Sequence, residues 1–390
     1  MPKRFAFIGL SLALGLSSTA FAQKTNLDGT TNLLSTAVPF LRISPDARAG
    51  GMGDAGIAVS PDANAQYWNV AKIPFCEKNY GISATYTPWL KDLVPDIFLA
   101  YISAFAKFGP DGSRAISASM RYFSLGNINY TDFNANPTGT GMPREFSFDV
   151  GYSQRLSPYL STGVSLRYIH SDIAAGASGQ ADYKPGNAFA GDIGVYYNKT
   201  KELDEFRKNT WSFGAVLSNV GSKISYSSLS SDPLPVNLGI GGAFTSQFDA
   251  YNKVTVALDI NKLLVPAPKA DSTGAPIYST QGVVSGMFNS FGDPAGVKRL
   301  DLSLGLEYWY QNQFAVRAGY FYENPDNGDR KYFTAGLGVR YNVFALNFSY
   351  LIPSGSGITR NPLSNTVRFT LMFEFDKLQK ANNDNESTTE

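Results

Sequence analysis

The feature that most constrains the fold of this chain is an alternation of apolar and polar residues over segments of about ten residues. The clearest segment is LDLSLGLEY at 300–308, where even-numbered residues are apolar and odd-numbered ones are Asp, Ser, Gly and Glu. Segments 146–153, 333–341 and 367–375 repeat the pattern. Because alternate residues of a β-strand face opposite sides of a sheet, each segment predicts a strand with one apolar and one polar face.

The polar faces of these predicted strands carry charged residues, among them Asp149, Glu307, Arg340 and Arg368. In a soluble sandwich that face would lie in a dry core, where unpaired charges are costly. In an outer-membrane barrel the apolar face meets lipid and the polar face lines a wet lumen. Charged residues make up 17% of the chain, against about 25% in soluble domains, and aromatic residues reach 14%. Composition therefore favours the barrel.

The same criterion, applied along the chain, predicts fourteen strands. Their connections alternate between short ones, such as 109–113 and 342–343, and long ones, such as 127–143 and 264–298; 200–209 is a longer, charged exception on the short side. Short periplasmic turns and long extracellular loops are typical of bacterial outer-membrane barrels. The predicted fold class is thus all-β, a 14-stranded antiparallel transmembrane outer-membrane β-barrel with periplasmic termini. The predicted strands are 80–89, 97–108, 114–126, 144–156, 160–171, 187–199, 211–221, 234–247, 252–263, 300–310, 313–323, 330–341, 343–352 and 365–376.

The N-terminus has the composition of a secretory signal peptide. Lys3 and Arg4 precede an apolar stretch at 5–16, and Ala-Phe-Ala at 20–22 forms a cleavage site before Gln23. This order of basic, apolar and small residues predicts export and removal of residues 1–22. The polar segment 377–390 predicts a disordered periplasmic tail. The predicted barrel occupies 76–376.

The remaining segment, 23–75, contains the stretch 30–75, which is rich in small residues and does not alternate. Gly51, Gly53 and Gly56 match the G-x-G-x-x-G fingerprint of dinucleotide sites, but that fingerprint should follow a strand in a βαβ unit, and here SPDARA precedes it. A fourteen-stranded barrel lies between barrels of about eight strands, which side chains fill, and those of about sixteen, which enclose a channel. Because glycine lets backbones approach closely, we interpret 23–75 as an N-terminal plug in the lumen.

The plug also carries a family resemblance. DARAGGMGDAGIA at 46–58 and DANAQYWNVAKI at 62–73 resemble the N-terminal hatch of the long-chain fatty-acid transporter superfamily, whose barrels have fourteen strands. Within it, FNSFGDPAGVKRLDLSLGLEYWY at 288–310 is most similar to the PorV family of the type IX secretion system of Bacteroidetes, with further matches at 217–226 and 234–244. The resemblance spans essentially the whole chain after the signal peptide.

The resemblance implies a shuttle that is not an enzyme. A family member is expected to bind the C-terminal domain of secreted cargo as it leaves the translocon barrel. It then delivers the cargo to a surface attachment complex that includes a signal-cleaving protease. The implied partners are the translocon, the cargo domains, that complex and outer-membrane lipid. The net charge of +1 gives no reason to expect nucleic acid.

Cargo arriving from outside would meet the extracellular loops. The longest, 264–298, carries apolar residues at spacings that place several on one face of a short helix, and exposed apolar patches usually mark a partner. The alternative is that this loop folds over the barrel mouth and buries them. Trp89 and Leu93, with Leu90 and Val94, form a second candidate with the same alternative. The candidate cargo-binding residues are Val283, Val284, Met287, Phe288, Phe291, Trp89 and Leu93, and the candidate plug residues are Arg48, Gly51, Gly53, Asp54 and Gly56.

Catalytic and metal sites are poorly supported by the sequence. His170, Ser171 and Asp172 are consecutive in a predicted strand, so their side chains would alternate between faces instead of converging. Cys76 is the only cysteine and His170 the only histidine, and NPDNGD at 324–329 is more simply a turn. We expect neither catalytic residues nor a metal or cofactor. Two other functions remain open: a diffusion channel for hydrophobic small molecules, and an enzyme acting on lipid A.

Overall fold

The computed structural model describes residues 36–89, 96–132, 134–176, 182–228, 231–265, 269–270, 276–277, 282–292, 300–324, 330–352 and 365–376. The predicted signal peptide and the predicted tail lie outside the described residues, as do Leu90, Leu93, Val94 and positions 325–329 of the predicted turn. The structural statements that follow concern the described part of the chain.

Within these residues, fourteen strands form one closed antiparallel barrel, as the alternation predicts. Each strand pairs with its neighbours along the chain, and pairing between the first and last strands closes the barrel. The barrel strands are β1 (Tyr80–Pro88), β2 (Ile97–Phe108), β3 (Arg114–Leu125), β6 (Arg144–Arg155), β7 (Leu160–Asp172), β8 (Gly186–Glu202), β9 (Lys208–Gly221), β10 (Asn237–Gln247), β11 (Asn252–Leu263), β14 (Leu300–Tyr310), β15 (Phe314–Glu323), β16 (Lys331–Tyr341), β17 (Phe344–Ile352) and β18 (Val367–Phe375).

The connections form two distinct ends of the barrel. At the short-turn end, a 3-10 helix at Pro110–Gly112 links β2 to β3 and a short turn links β16 to β17. At the long-loop end the connections carry two small hairpins and a helix. These are β4 (Ile128–Thr131) with β5 (Pro137–Gly141), β12 (Lys269–Ala270) with β13 (Pro276–Ile277), and α3 (Val283–Asn289).

One predicted connection differs from the structure. The sequence predicts a longer, charged connection at 200–209, but β8 continues to Glu202 and β9 begins at Lys208. The turn between them is closed by Asp204, whose carboxylate accepts hydrogen bonds from the backbone N–H groups of Phe206 and Arg207. Lys, Glu and Asp are weak strand formers, so the charged residues at 200–209 do not indicate strand ends. In the structure these ends form because β8 and β9 pair with each other.

The two faces of the wall differ as the sequence predicts. Along β14, Leu304 is 50% exposed whereas the neighbouring Ser303 is 1% exposed. The outward side chains are mainly aliphatic and aromatic, which suits contact with lipid. The inward side chains are mainly polar, and they are buried because the lumen is occupied.

The lumen is filled by the chain between residues 36 and 75, which forms short helical turns joined by irregular backbone. These are a 3-10 helix at Pro39–Arg42, α1 (Ala47–Gly50), α2 (Ala65–Trp68) and a 3-10 helix at Val70–Phe75. At the long-loop end Phe40 and Leu41 pack against Leu99, Phe123 and other wall residues. Deeper in the lumen, Val70 and Ile73 pack with Phe105. The predicted plug is therefore present over its described residues. No described helix is long and apolar enough to cross a membrane.

Candidate functional site

The glycines of the fingerprint-like stretch fit the plug against the wall. Gly53 adopts φ +67°, and a Cβ there would lie 2.6 Å from the backbone N of Tyr320 in β15. Both the left-handed conformation and the close approach favour glycine. On the wall side Gly319 faces the same contact, since a Cβ there would lie 2.0 Å from the backbone N of Gly53. The stretch thus joins plug to barrel.

Gly56 fixes an aromatic side chain inside the plug. A Cβ at Gly56 would lie 2.0 Å from the indole of Trp68, so the absence of a side chain lets the ring approach the backbone. The indole Nε1 donates to Asp46 Oδ2 at 2.6 Å. The N–H groups of Gly56 and Ile57 both donate to Asp259 Oδ2 in β11, at 2.7 and 2.8 Å. One carboxylate on the wall therefore anchors this part of the plug.

A buried ion-pair network joins the plug to β14 and β15. Arg48 Nε and Nη2 donate to the two oxygens of Glu307 at 2.9 and 2.8 Å, and its Nη1 donates to Asp62 Oδ2 at 2.9 Å. Arg317 Nε donates to Glu307 Oε2 at 2.7 Å. All four side chains are at least nine-tenths buried. Because removing one member leaves a buried charge uncompensated, the network fixes the plug's position.

The other lumen arginines take different partners. Arg121 donates to the backbone carbonyls of Phe40 and Leu41 in the plug. Arg167 is bound by Asp149 and Asp192. Arginines on the polar strand faces thus bind plug carbonyls and lumen carboxylates, while Glu307 binds Arg48 and Arg317. Two further contacts are longer: Arg340 lies 3.9 Å from Glu374, and Arg368 lies 3.5 Å from Asp54.

Burial shifts the pKa of two side chains, one in the plug and one between the plug and β1. Burial lowers the pKa of Lys72 to about 8, while its Nζ donates to the Gly56 carbonyl at 2.6 Å. Burial raises the pKa of the Cys76 thiol well above its ordinary value. Because the thiolate is the reactive form, this cysteine is a poor nucleophile. The Lys72 hydrogen bond also ties two parts of the plug together, because Gly56 and Lys72 are 16 residues apart.

The candidate cargo-binding residues of the longest loop lie on and beside α3. Phe288 is 72% exposed, Val284 61% and Phe291 55%, whereas Val283 and Met287 are half-buried. The helix therefore presents one apolar strip outward and turns the other inward. The Phe291 ring also contacts Lys262 Nζ, 5.6 Å from its centroid. We call the exposed set Val284, Phe288 and Phe291 the α3 patch.

The second candidate is placed differently. Trp89 is half-buried and packs edge-on against Phe123, with ring centroids 6.4 Å apart, beside the apolar cluster around Phe40. It therefore offers less free apolar surface than the α3 patch. Its predicted companion Leu93 lies outside the described residues.

The consecutive polar residues of β7 do not converge. His170 Nδ1 lies 2.9 Å from the Asn187 amide oxygen, whereas the fully buried Ser171 donates to Glu145 Oε1 at 2.7 Å on the opposite face. Among the described residues there is also no group of three His, Cys, Asp or Glu side chains placed to hold a metal ion.

Among the described residues, one cavity between plug and wall lies toward each end of the barrel. The long-loop cavity, about 110 Å³, is lined by Trp68, Asn237, Asn261, Asp301 and Tyr332, among others. The short-turn cavity, about 240 Å³, is lined by Lys208, Lys253, Trp309, Arg340 and Glu374, among others. The polar lining of the short-turn cavity suits water and hydrophilic solutes, whereas the long-loop cavity also has apolar and aromatic side chains in its lining, among them Leu41, Val216 and Phe321.

A closed β-barrel with a lipid-compatible outer face and a lumen filled by its own N-terminal segment defines the molecule as an outer-membrane barrel with an internal plug. The family model for type IX secretion system protein PorV matches residues 26–270, well over half of the chain. The chain belongs to the PorV family and is an outer-membrane component of the type IX secretion system. No curated protein sequence matches it significantly.

Solved structures with a similar backbone fold include toluene transporters. TodX of P. putida is 11% identical with a TM-score of 0.49, covering 86% of this chain and 99% of that chain. TbuX of Ralstonia pickettii is 11% identical with a TM-score of 0.47, covering 85% and 98%. A FadL homologue of Pseudomonas aeruginosa is 10% identical with a TM-score of 0.41, covering 88% and 99%. At these values the likeness carries no argument about function.

Several residues that hold the plug were not singled out by the sequence: Trp68, Lys72, Asp259 and Arg317. Asp259 and Arg317 do stand at polar positions of alternating strands, which indicates that they face the lumen. Nothing in their spacing indicates which plug atoms they meet, because those atoms are some 200 residues away or more in the chain.

Proposed function

We propose that this protein is a shuttle and docking component of the type IX secretion system that binds the C-terminal signal domain of secreted cargo at its long-loop end. In this proposal the long-loop end is extracellular and both termini are periplasmic. The protein receives cargo from the translocon barrel and delivers it to the surface attachment complex with its signal-cleaving protease. It acts by binding, without a catalytic step of its own.

The observation that carries this proposal is the α3 patch. Three large apolar side chains are more exposed than buried on the longest connection of the long-loop end. An apolar strip on a short helix, outside the lipid-facing wall, supports contact with a protein partner. Membership of the PorV family supports the choice of partner.

The arrangement of the lumen supports binding over conduction. A channel for hydrophobic molecules would need an apolar route past the plug. The short-turn cavity described above is instead lined mainly by charged and polar side chains, and the plug is tied to the wall by buried ion pairs. The hydrophobic channel is therefore the weaker alternative.

The test is the double variant Phe288→Asp with Phe291→Asp. Placing two charges on the patch should abolish cargo binding, because a buried interface would have to accommodate unpaired carboxylates. We expect the variant to insert normally, with the heat-dependent gel mobility of a folded barrel, and surface display of cargo to stop.

The matched control is Leu203→Asp with Phe206→Asp, which charges two similarly exposed apolar residues in the β8–β9 turn at the opposite end. Display should persist in this control. Normal display in the α3 variant would refute docking at the patch.

A second measurement identifies the partners. The tagged protein is purified gently from its native membrane and the chains that accompany it are identified by mass spectrometry. Recovery of a very large barrel, or of secreted proteins sharing one C-terminal domain, would support the shuttle. Recovery of the barrel alone with a lipid in its lumen would favour the channel instead.

A further inference from the structure

Phe291 follows helix α3 and lies beside the end of a barrel strand. Its backbone N–H donates to the Phe288 carbonyl at 3.1 Å, which closes the turn after the helix. The centre of its exposed ring lies 5.6 Å from the Nζ atom of Lys262, the last residue but one of β11. The orientation of Lys262 therefore indicates on which side of the wall the ring lies.

Lys262 belongs to the lipid-facing side of β11. Alternate side chains of a strand point to opposite faces of the sheet. In β11 the exposed Leu258 and Ile260 point outward, whereas Asn261 lines the cavity inside the barrel. Lys262 continues the outward series. Phe291 therefore lies at the outer rim of the barrel, next to side chains that face lipid, and not over the opening of the lumen.

Other outward lysines at the barrel rims have the same kind of neighbour. Lys331 Nζ in β16 lies 5.4 Å from the ring centroid of Tyr322 in β15, at the same end of the barrel. Lys199 Nζ in β8 lies 5.5 Å from the ring centroid of Tyr159, at the short-turn end. Both lysines lie on the outward face of their strands. Such pairs are typical of a membrane–water interface, where the ring enters the lipid boundary and the ammonium group stays hydrated.

The segment that carries Phe291 has a composition suited to this boundary. Residues 282–292 read GVVSGMFNSFG and contain no charged side chain. A charge close to the acyl chains would be costly, so its absence lets the segment approach the membrane surface. The positive charge beside the ring comes from the barrel strand, where the long stem of Lys262 can lie along apolar surface while its head stays in water.

We infer that Phe291, together with Lys262, anchors the α3 segment to the surface of the lipid bilayer. The ring inserts at the boundary between headgroups and acyl chains, and the lysine ammonium group lies among the headgroups. The occupant of this surface is lipid because the ring continues the lipid-facing wall of β11. The anchor does not depend on the proposed docking function, since Phe291 meets lipid with or without cargo, and Val284 and Phe288 remain on the helix for a protein partner.

The test introduces a tryptophan at the anchor and measures its quenching by brominated lipids. The full chain carries Trp211→Phe, which removes a native tryptophan exposed on the lipid-facing wall, together with Phe291→Trp. It is reconstituted into phosphatidylcholine vesicles whose acyl chains carry bromine either close to the headgroup or close to the chain end. We expect the added fluorescence to be quenched about twofold more strongly by the shallow bromine, because interfacial side chains insert only about 5–10 Å.

The matched control is Phe206→Trp in the same background, since Phe206 is similarly exposed, at 51%, but lies in the turn between β8 and β9. Its fluorescence should be quenched by aqueous iodide and by neither bromine. The chain that keeps Trp211 is the positive control for contact with lipid, and heat-dependent gel mobility confirms that each variant is folded. A Phe291→Trp signal that bromine does not quench, or that iodide quenches as strongly as in the control, would overturn the anchor and leave docking at the α3 patch untouched.

Discussion

At the residue scale, single side chains in the plug carry contacts that no strand pattern specifies. Arg48 joins Glu307 of β14 to Asp62 of the plug, and Gly53 allows the plug backbone to touch β15. The first contact is electrostatic, so it is lost when the charge is removed. The second is steric, so it is disrupted when a side chain is added.

We predict that Arg48→Met destabilises the folded barrel by about 3–5 kcal/mol, because Asp62 loses its cation and Glu307 loses one of two in a buried site. The measurement is urea unfolding in lipid vesicles followed by tryptophan fluorescence. Arg207→Met is the matched control, since its pair with Asp204 is exposed, and it should cost about 0–1 kcal/mol. Equal effects from the two variants would contradict a structural role for the buried network.

We predict that Gly53→Ala destabilises the barrel by about 1–3 kcal/mol or more, because the added methyl meets the Tyr320 backbone and φ is positive. The same unfolding assay measures it. Gly282→Ala adds a methyl with nothing within 4 Å and should change stability by only about 0.5 kcal/mol or less. A neutral Gly53→Ala would mean that plug and wall are not in contact here.

At the element scale, the plug is a segment whose irregular backbone is satisfied by the strands around it. Asp259 of β11 accepts two plug N–H groups, Thr370 of β18 accepts from Ala47 N at 2.8 Å, and Thr334 of β16 accepts from Gly53 N at 2.8 Å. The strands hold the plug as much through these polar contacts as through its apolar clusters. Because the plug has little regular secondary structure, its backbone N–H and C=O groups depend on the surrounding strands for hydrogen bonds.

We predict that Asp259→Ala increases hydrogen exchange at Gly56 and Ile57 by about tenfold or more, since both lose a charge-assisted acceptor. Exchange in the barrel strands should stay unchanged. Mass spectrometry of the detergent-solubilised protein measures both regions in one experiment. Glu145→Ala is the control, because that buried carboxylate is bonded to Ser171 of the wall and not to the plug. Increased exchange in the control would indicate general loosening of the lumen instead.

At the scale of the whole molecule, the barrel and its plug together make a closed wall. Fourteen strands are more than side chains alone fill, and the described lumen is occupied by residues 36–75. The outer face suits lipid while the inner face suits the plug. In the proposed function, the ends of the barrel and not its lumen are therefore the surfaces offered to partners.

We predict that deleting residues 36–75 converts the protein into an ion-conducting pore in planar bilayers, whereas the full chain gives no steady conductance. The physical reason is that the inward polar side chains would then line water. Single-channel recording measures the change, and heat-dependent gel mobility shows that the deletion variant has folded. A folded deletion variant that stays closed would contradict the assignment of the plug as the seal.

The sequence by itself determined the strands. Alternation depends only on neighbouring residues, which alternate between lipid and lumen, and it places the ends of β2, β11 and β14 where the structure has them. The same logic identified the plug by its lack of alternation. Helical spacing predicted a short helix in the loop 264–298, where α3 lies, but it did not decide which of its apolar residues are exposed. The local pattern was misleading at 200–209. There the residues have weak strand propensity, but pairing between β8 and β9 extends both strands into this stretch.

Only the tertiary structure decided which atoms meet inside the lumen. Glu307 could have paired with any inward arginine, but closure of the barrel around the plug brings it to Arg48 and Arg317. Asp259, Gly56 and Trp68 are far apart in the chain and come together for the same reason. The long-loop cavity is likewise made by residues of the plug and of strands far apart in the chain. Sequence periodicity sets the face of each side chain, whereas distances across the lumen depend on barrel closure and plug packing.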